Sequence, residues 1–411
     1  MQSLRVVVIG GGAAGFFGAV ACAKTHPYAQ VTLLEASRQP LAKVRVSGGG
    51  RCNVTHACFD PLGLVQNYPR GEKALRGAFS RFQATDTVQW FASHGVKLKT
   101  EPDGRMFPIT DSSQTIIECF TKAAHFAGVE ILTGKTVISV VKTATGFEVE
   151  LKTGEKLKCD RILLATGSNP LGYQIAQALS HTIEQPVPSL FTFNIIDKNL
   201  KELAGISANP VQLKLSVDKK TLEQTAPLLI THWGLSGPAV LKLSAWGARV
   251  LHDCKYQATL RINWQPQYHS DQLRSQLSLI KTQHPKKVIA LHRAVDLPHR
   301  LWQYIVARAG IGTERWAELS NKSLNQLIQE LTQGAYQISG KGAFKEEFVT
   351  CGGVKLKEVN FKTMESRITP GLHFAGEILD IDGVTGGFNF QSAWTTAWIA
   401  GNAIGSTDIC N

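Results

Sequence analysis

Two glycine-rich segments near the start of the chain combine residue types and spacings that could do chemistry. The first is a G-x-G-x-x-G element, Gly10–Gly15, which follows an apolar run and precedes a helix-like stretch; Glu35 lies twenty residues after Gly15. This pattern predicts a dinucleotide site, in which Gly10 permits a tight turn, Gly12 admits a pyrophosphate and Gly15 allows close helix–strand contact. We expect the helix N-terminus to face the phosphates and Glu35 to bind the ribose. The same site would include Ala13, Ala14 and Ala36.

The second segment is Ser47–Asn53, with the sequence SGGGRCN. Three successive glycines permit positive φ angles and a close approach of the backbone to a ligand. Arg51 adds a charge for a phosphate or for the N1–O2 edge of a reduced flavin, and Lys43 could serve the same pyrophosphate. This second motif favours FAD over NAD. The residues expected to line the cofactor here are Ser47, Gly48, Gly49, Gly50, Cys52 and Asn53.

The charge balance of the chain points to polyanionic partners. Lys plus Arg number 44 and Asp plus Glu 32, which gives a formal net charge of +12. Such a surplus favours nucleic acid first and an anionic membrane surface second. A basic surface without a partner is an equally acceptable interpretation, because net charge does not determine fold or function.

Composition and cysteine usage indicate a folded protein of the cytoplasm. The chain is 43% hydrophobic and 18% charged, which excludes a disordered protein. Its longest apolar run, Ala13–Ala23, is too short to span a bilayer, and the strand-like run at Leu4–Ile9 leaves no room for a signal peptide. None of the eight cysteines forms a C-x-x-C pair or a zinc-type spacing. We therefore expect free thiols and no metal site.

Alternating strand and helix patterns predict an α/β domain interrupted by an insertion. Prolines 186 and 188 mark a boundary, so we assign residues 1–188 and 341–411 to the nucleotide domain and 189–340 to the insertion. Residues 136–160 contain short runs separated by turn signals, which predict antiparallel strands. The predicted strands of the nucleotide domain are Arg5–Ile9, Val31–Glu35 and the run Arg161–Gly167, and its helices are Gly15–Thr25, Glu72–His94, Ser112–Gly128 (capped by Asp111 or Ser112) and Phe390–Ala403.

The insertion changes character along its length. Strand patterns at Gln212–Val217 and Gln257–Trp264 give way to helical periodicity from Ser270 to Gln333. Pro298 opens a helix whose apolar face carries Leu301, Trp302, Ile305 and Val306. The insertion holds 18 lysines and arginines against 10 aspartates and glutamates, so most of the surplus positive charge of the chain lies in it.

Beyond these patterns, the chain resembles the BaiN/YhiN-like family of FAD-dependent oxidoreductases, also described as aminoacetone oxidase-like. The resemblance spans residues 4 to about 403 and implies a Rossmann-type, glutathione-reductase-like FAD domain. It also implies an inserted β-barrel, at about 189–268 and 310–340, and a small helical subdomain at about 269–309. The motifs that carry the resemblance are Ser47–Asn53 (SGGGRCN), Gly104–Pro108 (GRMFP), Thr231–Ala239 (THWGLSGPA), Met364–Arg367 (MESR) and Pro370–Gln391 (PGLHFAGEILDIDGVTGGFNFQ).

The resemblance further implies that C-terminal residues complete the flavin site. Gly376 and Glu377 would close over the ribityl–phosphate portion of the flavin. A helix N-terminus would face its pyrimidine edge, where reduced flavin carries negative charge. Residues at that N-terminus are Gly386, Gly387, Phe388 and Asn389. By the same analogy Thr166 and Gly167 form a second nucleotide-contacting turn, and the backbone near Val137 meets the adenine.

The resemblance favours an NAD(P)H-linked reductase. Because the chain has one dinucleotide fingerprint, NADPH or NADH would have to dock transiently. Hydride would pass from flavin N5 to the substrate, so the protein needs one positioned proton donor. Cys52 and His232 are the candidates. Each is equally well explained as a structural residue, Cys52 in packing and His232 as a hydrogen-bonded histidine.

The substrate is the most open question. Cations and rings alternate along 281–308, an arrangement that suits a phosphate backbone and unstacked bases; the alternative is a solvated basic face with Trp302 in the core. The cations are Lys281, Lys286, Lys287, Arg293, Arg300 and Arg308, and the rings are His284, His292, His299, Trp302 and Tyr304.

Three classes of function follow from these observations. Members of the family are connected with dihydrouridine formation in 23S ribosomal RNA, which makes reduction of an RNA uridine the first hypothesis. Others are linked to bile-acid enones and aminoacetone, so a small-molecule enone reductase or amine oxidase is the second. A flavoprotein that acts mainly as a binding or assembly factor is the third.

Overall fold

The computed structural model describes residues 3–217, 220–342 and 349–406. The chain forms two compact units, Met1–Val187 with Val349–Asn411 and Pro188–Phe348. The boundaries expected from the sequence are 188/189 and 340/341, and those between the two units of the structure are 187/188 and 348/349. No helix in the described ranges is both long enough and apolar enough to cross a membrane.

The strands, in chain order, are β1 (Arg5–Ile9), β2 (Gln30–Glu35), β3 (Thr55–His56), β4 (Leu98–Thr100), β5 (Arg105–Pro108), β6 (Glu130–Thr133), β7 (Val137–Lys142), β8 (Phe147–Leu151), β9 (Lys156–Cys159), β10 (Arg161–Leu164), β11 (Ile183–Ser189), β12 (Phe193–Ile195), β13 (Ser207–Val217), β14 (Lys220–Thr231), β15 (Gly234–Ser236), β16 (Ala258–Asn263), β17 (Gly334–Lys341), β18 (Val349–Val354), β19 (Val359–Asn360), β20 (Glu365–Ser366) and β21 (Leu372–Phe374).

The α-helices are α1 (Ala13–Thr25), α2 (Ala42–Gly50), α3 (Pro61–Val65), α4 (Glu72–Phe79), α5 (Ala84–Ser93), α6 (Ser113–Phe126), α7 (Pro170–Ala178), α8 (Lys198–Lys201), α9 (Pro238–Trp246), α10 (Ala248–Asp253), α11 (Ser270–Gln283), α12 (His299–Arg308), α13 (Asn321–Gln333) and α14 (Phe388–Ala403). Short 3₁₀ turns lie at Ile289–Leu291, Trp316–Glu318, Leu356–Glu358 and Gly376–Ile378.

The first unit is built on a seven-stranded sheet in the order β19-β20-β21-β10-β1-β2-β6. The run from β21 to β6 is parallel, and β19 and β20 add an antiparallel edge. Val6, Val7 and Val8 are buried in the central strand β1, as a strand covered on both faces requires. The Rossmann-type α/β prediction is therefore confirmed. The antiparallel strands predicted at 136–160 form a separate sheet, β7-β8-β9.

One helix prediction in this unit is wrong. The stretch expected as a single helix, Glu72–His94, is two helices, α4 and α5. The second helix begins anew because Gln83 and Asp86 form a capping box, in which the Gln83 N–H donates to Asp86 Oδ2 at 2.8 Å. At α6, by contrast, Ser112 is the N-cap, as predicted, and its hydroxyl accepts the Gln114 N–H.

The two ends of the chain meet in the first unit, where α1 packs against α14. A Cβ at Gly401 would lie 2.5 Å from the Gly18 carbonyl oxygen, so only a residue without a side chain allows this close approach. Aromatic rings continue the contact, because Trp394 of α14 lies with its ring centroid 5.6 Å from Phe17 and 5.3 Å from Phe120. The first and last segments thus share one core.

The second unit contains a closed barrel with the strand order β12-β15-β14-β13-β16-β17, which confirms the inserted barrel. Its core continues into the helices, with Trp264, Trp302 and Trp316 buried in one cluster. Residues 310–333, assigned to the barrel from the sequence, instead contain α13, and only β17 returns to the barrel. The cause is the helical spacing of the buried residues Leu324, Leu327, Ile328 and Leu331.

Candidate cofactor site

The turn between β1 and α1 needs glycine at two positions because of backbone crowding. Gly10 has φ +109°, and a Cβ there would lie 2.5 Å from the Ala165 carbonyl oxygen. A Cβ at Gly15 would lie 1.8 Å from the Gly10 carbonyl oxygen. At Gly12, however, a Cβ would have no protein atom within 4 Å. Gly12 therefore borders open space, as a residue that faces a ligand should.

The N-terminus of α1 opens onto the same space. Its N-cap is Gly12, no side chain caps it, and no acidic residue lies in its first turn, which begins with Ala13 and Ala14. The first N–H groups of a helix lack intrahelical acceptors and carry a partial positive charge. This helix end is therefore suited to bind the pyrophosphate of a dinucleotide.

Glu35 is fixed at the end of β2 beside the same turn. Its Oε2 accepts the Gly11 N–H at 2.7 Å, and its Oε1 accepts the Ser37 N–H at 2.8 Å. A carboxylate has further lone pairs, so Glu35 can also accept hydrogen bonds from sugar hydroxyls. Ala36 beside it is exposed. The Lys135 N–H donates to the Glu35 carbonyl at 2.9 Å, which brings the segment leading into Val137 alongside this acid.

The second glycine-rich segment leaves the helical conformation at the end of α2. Gly48, Gly49 and Gly50 have φ angles of +58°, +70° and +84°. A Cβ at Gly49 or at Gly50 would meet no atom within 4 Å. The backbone of this loop thus faces open space at two consecutive residues, which is the geometry for close approach to a ligand.

Asn53 links this loop to the N-terminus of α14. With its amide oriented to satisfy both groups, the oxygen accepts the Gly387 N–H at 2.9 Å and the nitrogen donates to the Thr55 carbonyl at 3.0 Å. Gly387 is the N-cap of α14 with φ +94°, and no side chain of its own caps the helix. Here too a helix N-terminus is available for negative charge. The residue before it, Gly386, has φ +133°. The Phe388 ring stacks on the His56 ring, with 4.7 Å between the ring centroids. The Asn389 side chain hydrogen-bonds both the N–H and the carbonyl of Gly383.

Arg51 already has partners within the protein. Its Nη1 donates to Glu101 Oε1 at 2.6 Å, and its guanidinium carbon lies 4.0 Å from the centroid of the Phe107 ring. Asp111 is a further partner at 3.5 Å. The predicted contact of Arg51 with a phosphate or flavin would compete with these interactions. The role that the geometry supports for Arg51 is to hold the glycine loop in place.

Cys52 is fully buried and has φ +61°. Burial raises the pKa of its thiol to about 12, which makes it a weak acid at neutral pH. Packing is the role that this environment favours. The cysteines of the described residues are free thiols, and Cys410 lies outside those residues. No cluster of three or more His, Cys, Asp or Glu side chains in the described ranges is arranged to hold a metal ion.

The C-terminal part of the predicted site lies against the N-terminal part. A Cβ at Gly376 would come within 2.7 Å of the Ala14 Cβ, in the first turn of α1. The next residue, Glu377, accepts a hydrogen bond from Lys43 Nζ at 2.5 Å, and the same Nζ bonds Ser168 Oγ at 3.0 Å. Gly167 adjoins this cluster with φ +59°, and a Cβ there would lie 3.6 Å from Glu377 Oε2. Thr166 precedes it in the turn after β10.

Sequence reasoning missed Ser168, Thr350 and the polar core under α14. Thr350 donates its N–H to Glu377 Oε1 at 2.9 Å. Gln391 is buried, and its Oε1 accepts the hydroxyls of Thr55 and Thr87 at 2.6 and 2.9 Å. These partners are far apart in the sequence, so no local pattern could have revealed them.

His232 belongs to the second unit. It lies in the turn between β14 and β15, and its side chain is exposed. Its assignment as proton donor stays a prediction.

Of the five rings in the predicted RNA-binding stretch, Trp302 and Tyr304 are not on the surface, whereas His284 and His299 are exposed and His292 is half-buried. Trp302 is fully buried, and its Nε1 donates to the Ile289 carbonyl at 2.8 Å; Tyr304 is buried and donates to Asp197 Oδ2 at 2.6 Å. The apolar face of α12 holds both rings in the core, so they cannot stack on bases. Arg308 pairs with Asp197 at 3.0 Å and with Glu330 at 2.9 Å.

The remaining cations of the stretch fall into two groups. Lys281 donates to the Leu319 carbonyl, Arg293 to that of Leu297 at 2.8 Å and Arg300 to that of Glu202 at 2.7 Å. Lys286 and Lys287 are exposed in the loop after α11. The stretch is thus a partly paired basic face whose exposed rings are the imidazoles of His284 and His299, without Trp302 and Tyr304.

Two open glycine-lined loops, two helix N-termini without side-chain caps and a carboxylate at the end of β2 together fit a flavin dinucleotide. FAD would contact the α1 N-terminus through its pyrophosphate, Glu35 through its ribose and the α14 N-terminus through its ring. In this arrangement Gly12, Gly49 and Gly50 supply the space that a side chain would fill.

Comparisons with known proteins agree with this site. The chain is 30% identical over 413 residues to the ribosomal RNA dihydrouridine synthase of Escherichia coli K12, covering 97% of each chain. It is 29% identical over 408 residues to the 3-dehydro-bile acid Δ(4,6)-reductase of Clostridium scindens, covering 97% of this chain and 98% of that protein. The 3-ketosteroid-Δ4-(5α)-dehydrogenase of Rhodococcus jostii RHA1 shares the fold, with a TM-score of 0.51 at 14% identity over 98% of this chain and 97% of that one.

A model of one family, described as the HI0933-like protein Rossmann domain, matches residues 4–403. The match spans both units, so the insertion is part of the family and not an addition to it. The chain therefore belongs to the HI0933-like family and is an FAD-dependent oxidoreductase.

Proposed function

We propose that this protein is a flavin-dependent reductase of a C=C bond conjugated to a carbonyl, and that its substrate is a uridine of ribosomal RNA. The observation that carries the proposal is its nearly full-length similarity to two reductive enzymes with different substrates. One relative is a ribosomal RNA dihydrouridine synthase and the other a Δ(4,6)-reductase of a 3-dehydro-bile acid. What these two activities share is the reaction type.

The shared reaction is addition of hydride and a proton across an activated double bond. The C5=C6 bond of uracil is conjugated to the C4 carbonyl, as the double bonds of a 3-oxo-Δ4,6 steroid are conjugated to their ketone. Hydride adds to the carbon remote from the carbonyl and a proton to the carbon next to it. FAD, when bound, takes two electrons from a reductant and supplies them as hydride.

The protein must hold the cofactor and provide the proton. The α14 N-terminus and the loop of Gly48–Gly50 would stabilise negative charge on the reduced ring. Of the two candidate donors, the buried thiol of Cys52 is poorly matched to neutral pH, because burial raises its pKa to about 12. We assign the proton to His232, since an exposed imidazole is the side chain that most often serves in general acid–base catalysis.

We propose NADPH or NADH as the reductant. The sequence contains one dinucleotide fingerprint, and we assign it to the FAD. A nicotinamide would therefore bind transiently. An RNA substrate would also place the reaction in the cytoplasm, where ribosomes are assembled.

The charge of the second unit supports RNA over a steroid-like substrate. Residues 189–340 carry a surplus of 8 positive charges, and a polyanion gains far more from this field than a bile acid with its single carboxylate. Lys286 and Lys287 are exposed within it. The small-molecule alternative rests on the 29% identity to the bile-acid reductase.

The test is an anaerobic titration of the FAD-loaded protein with NADPH, with and without ribosomal RNA from a strain that lacks the gene. We expect the reduced flavin absorbance to be reoxidised when RNA is added, and dihydrouridine to appear in the RNA by mass spectrometry. Reoxidation by a small enone but not by RNA would replace the proposal with the small-molecule alternative. A flavin that no acceptor reoxidises would indicate a binding or assembly factor.

Charge reversal separates the first two outcomes further. Replacing Lys286 and Lys287 by Glu should weaken RNA turnover while turnover of a small acceptor persists. The matched control reverses two exposed lysines of the first unit, Lys73 and Lys97. Equal losses in both double variants would mean that net charge alone, rather than the second unit, governs RNA binding.

A further inference from the structure

The second unit exposes two large apolar side chains on neighbouring segments at one edge of its barrel. Trp233 is 64% exposed in the turn between β14 and β15, and Ile196 is 62% exposed directly after β12. The Ile195 N–H donates to the Trp233 carbonyl at 3.1 Å, and Asn194 pairs with Gly234. Leu229, on the outward side of β14, is 36% exposed. We refer to Ile196, Leu229 and Trp233 as the rim patch.

The rim patch is held in place by buried or part-buried polar contacts. Asp197 follows Ile196, and its Oδ1 accepts the Leu200 N–H at 3.0 Å. Its Oδ2 accepts from Tyr304 at 2.6 Å and from Arg308 at 3.0 Å. On the other strand Thr231 Oγ1 accepts the Gly234 N–H at 3.2 Å. These contacts fix the backbone on both sides of the rim patch, so its exposed apolar side chains lie on an anchored surface and not at a frayed end.

Cations border the rim patch. The short helix α8 starts two residues after Ile196 and carries Lys198 and Lys201. The segment that follows α8 returns along β14, with the Gly205 N–H donating to the Ile230 carbonyl at 2.9 Å. Arg300 of α12 reaches the same segment, where it donates to the Glu202 carbonyl at 2.7 Å. Lys198 and Arg300 are exposed.

The acidic groups at this edge do not cancel these cations. Asp197 is paired with Arg308, and a combination of hydrogen bonds from Tyr304, Leu200 and Arg308 outweighs burial and lowers the pKa of its carboxyl. Glu202 is the remaining carboxylate in the segment, against the two lysines and Arg300. The rim patch is thus an exposed ring with a positive border.

We propose that the rim patch binds single-stranded RNA, with the indole of Trp233 stacking on an unpaired base and Lys198, Lys201 and Arg300 contacting the flanking phosphates. An exposed aromatic face beside cations is the usual platform for unpaired nucleotides. A protein partner would require a larger apolar surface with fewer charges at its centre. The inference rests on the proposed function, because it assumes an RNA substrate, and it assigns base recognition to the barrel instead of to α12.

The test measures the affinity of the full-length, FAD-loaded protein for a short fluorescein-labelled RNA, single-stranded or as a duplex, by fluorescence anisotropy. Trp233→Ala should weaken binding of the single strand about tenfold, the loss expected for one stacked base, and change duplex binding little. Trp233→Phe should restore most of the affinity. Lys198→Gln should reduce the slope of log affinity against log salt by about 0.7, the value for one phosphate contact on a single strand.

Leu291→Ala is the matched control. Leu291 is 65% exposed in the same unit, in the turn Ile289–Leu291, and is not part of the rim patch. This variant should bind both RNAs like the wild type. Single-strand affinity that is unchanged in Trp233→Ala, or a loss that is equal for single strand and duplex, would overturn the inference.

The outcome is separable from that of the proposed function. If the wild type forms no dihydrouridine but Trp233→Ala still loses single-strand affinity, the proposed reaction fails and the rim patch stands. If the wild type and Trp233→Ala form dihydrouridine with the same KM and kcat, the reaction stands and the rim patch is refuted.

Discussion

Lys43 Nζ lies 2.5 Å from Glu377 Oε2, although the two residues are 334 positions apart in the chain. Glu377 is oriented from its other side by the Thr350 N–H, at 2.9 Å from Oε1. Gly376, next to Glu377, adjoins Ala14 in the first turn of α1. The pair therefore places an ammonium group near the helix end that is suited to a pyrophosphate. Since the Lys43 side chain is 55% exposed, it can rotate toward a phosphate without a large cost.

Lys43→Ala should weaken FAD binding several-fold and leave the stability of the protein nearly unchanged. The lost charge would no longer neutralise the pyrophosphate, whereas an exposed ion pair contributes at most about 1 kcal/mol to folding. The dissociation constant can be measured by quenching of FAD fluorescence, and stability by thermal unfolding of the apoprotein.

Lys156→Ala provides the control for Lys43→Ala. Lys156 pairs with Glu148 at 2.8 Å in the first unit, and its side chain is likewise 55% exposed. This change should leave FAD affinity unaltered. Unchanged FAD affinity in Lys43→Ala would remove Lys43 from the cofactor site.

Gly12→Ala should abolish tight FAD binding without unfolding the protein. Its φ of −90° is accessible to alanine, and the added Cβ would meet no protein atom within 4 Å, so only a bound pyrophosphate would collide with it. We expect a loss of at least about tenfold in affinity, because the backbone could no longer approach the phosphates. The measurement is FAD content after purification together with equilibrium titration.

Gly77→Ala is the matched change outside the site. A Cβ at Gly77 in α4 also meets no atom within 4 Å, so this variant should keep both its fold and its FAD. Gly15→Ala should instead fail to fold stably, since its Cβ would lie 1.8 Å from a carbonyl oxygen. A Gly12→Ala variant that retains wild-type FAD affinity would contradict the assignment of the phosphate turn.

The parts of the fold that were predictable are those encoded locally. The apolar run Arg5–Ile9, the glycines after it and the acid at position 35 all lie within one βαβ unit, where spacing alone fixes their relative positions. The apolar period of α12 likewise predicted the burial of Leu301 and Ile305. The break between α4 and α5 also had a local signal, the capping pair Gln83 and Asp86.

The parts that were not predictable depend on contacts between distant residues. The sequence suggests that Tyr304 is a ring on the surface, but in the structure its hydroxyl donates a hydrogen bond to Asp197. The sequence likewise suggests that Arg51 is a free cation, but in the structure it pairs with Glu101, fifty residues later in the chain. In both cases the partner is supplied by a different element of the same unit. Residue type and spacing cannot reveal such pairs, which decide whether a charged or aromatic side chain is available to a ligand.

Gln391→Leu should destabilise the protein by about 2 to 4 kcal/mol, because the hydroxyls of Thr55 and Thr87 would lose their acceptor in the core. Gln391 is fully buried in α14, close to the helix end assigned to the flavin. Urea unfolding gives the change in the free energy of unfolding. Gln66→Leu, at an exposed glutamine after α3, should leave it within about 0.5 kcal/mol. Equal stability of Gln391→Leu and wild type would show that the two hydroxyls find other acceptors.

Acid should destabilise the first unit through His373, which is buried in β21. Burial, with a smaller contribution from Arg161, lowers the pKa of this imidazole to about 3. In the unfolded chain a histidine takes up a proton below about pH 6.5, so the unfolded state binds more protons between these two values. Stability is therefore fully present above about pH 6.5 and is lost as the pH falls toward 3. Between pH 7 and pH 5, proton uptake by this histidine in the unfolded chain should lower the free energy of unfolding by up to about 2 kcal/mol.

His373→Leu should remove that share of the acid sensitivity, because leucine takes up no proton in either state. The measurement is the free energy of unfolding in urea at pH 7 and pH 5, with FAD saturating in both. Some pH dependence should remain, since burial also lowers the pKa of His181. His125→Leu, at an exposed histidine of α6, should keep the wild-type pH dependence. If His373→Leu lost as much stability as the wild type between the two pH values, proton uptake at His373 would not be the cause, and the buried imidazole would have to be charged in the folded protein.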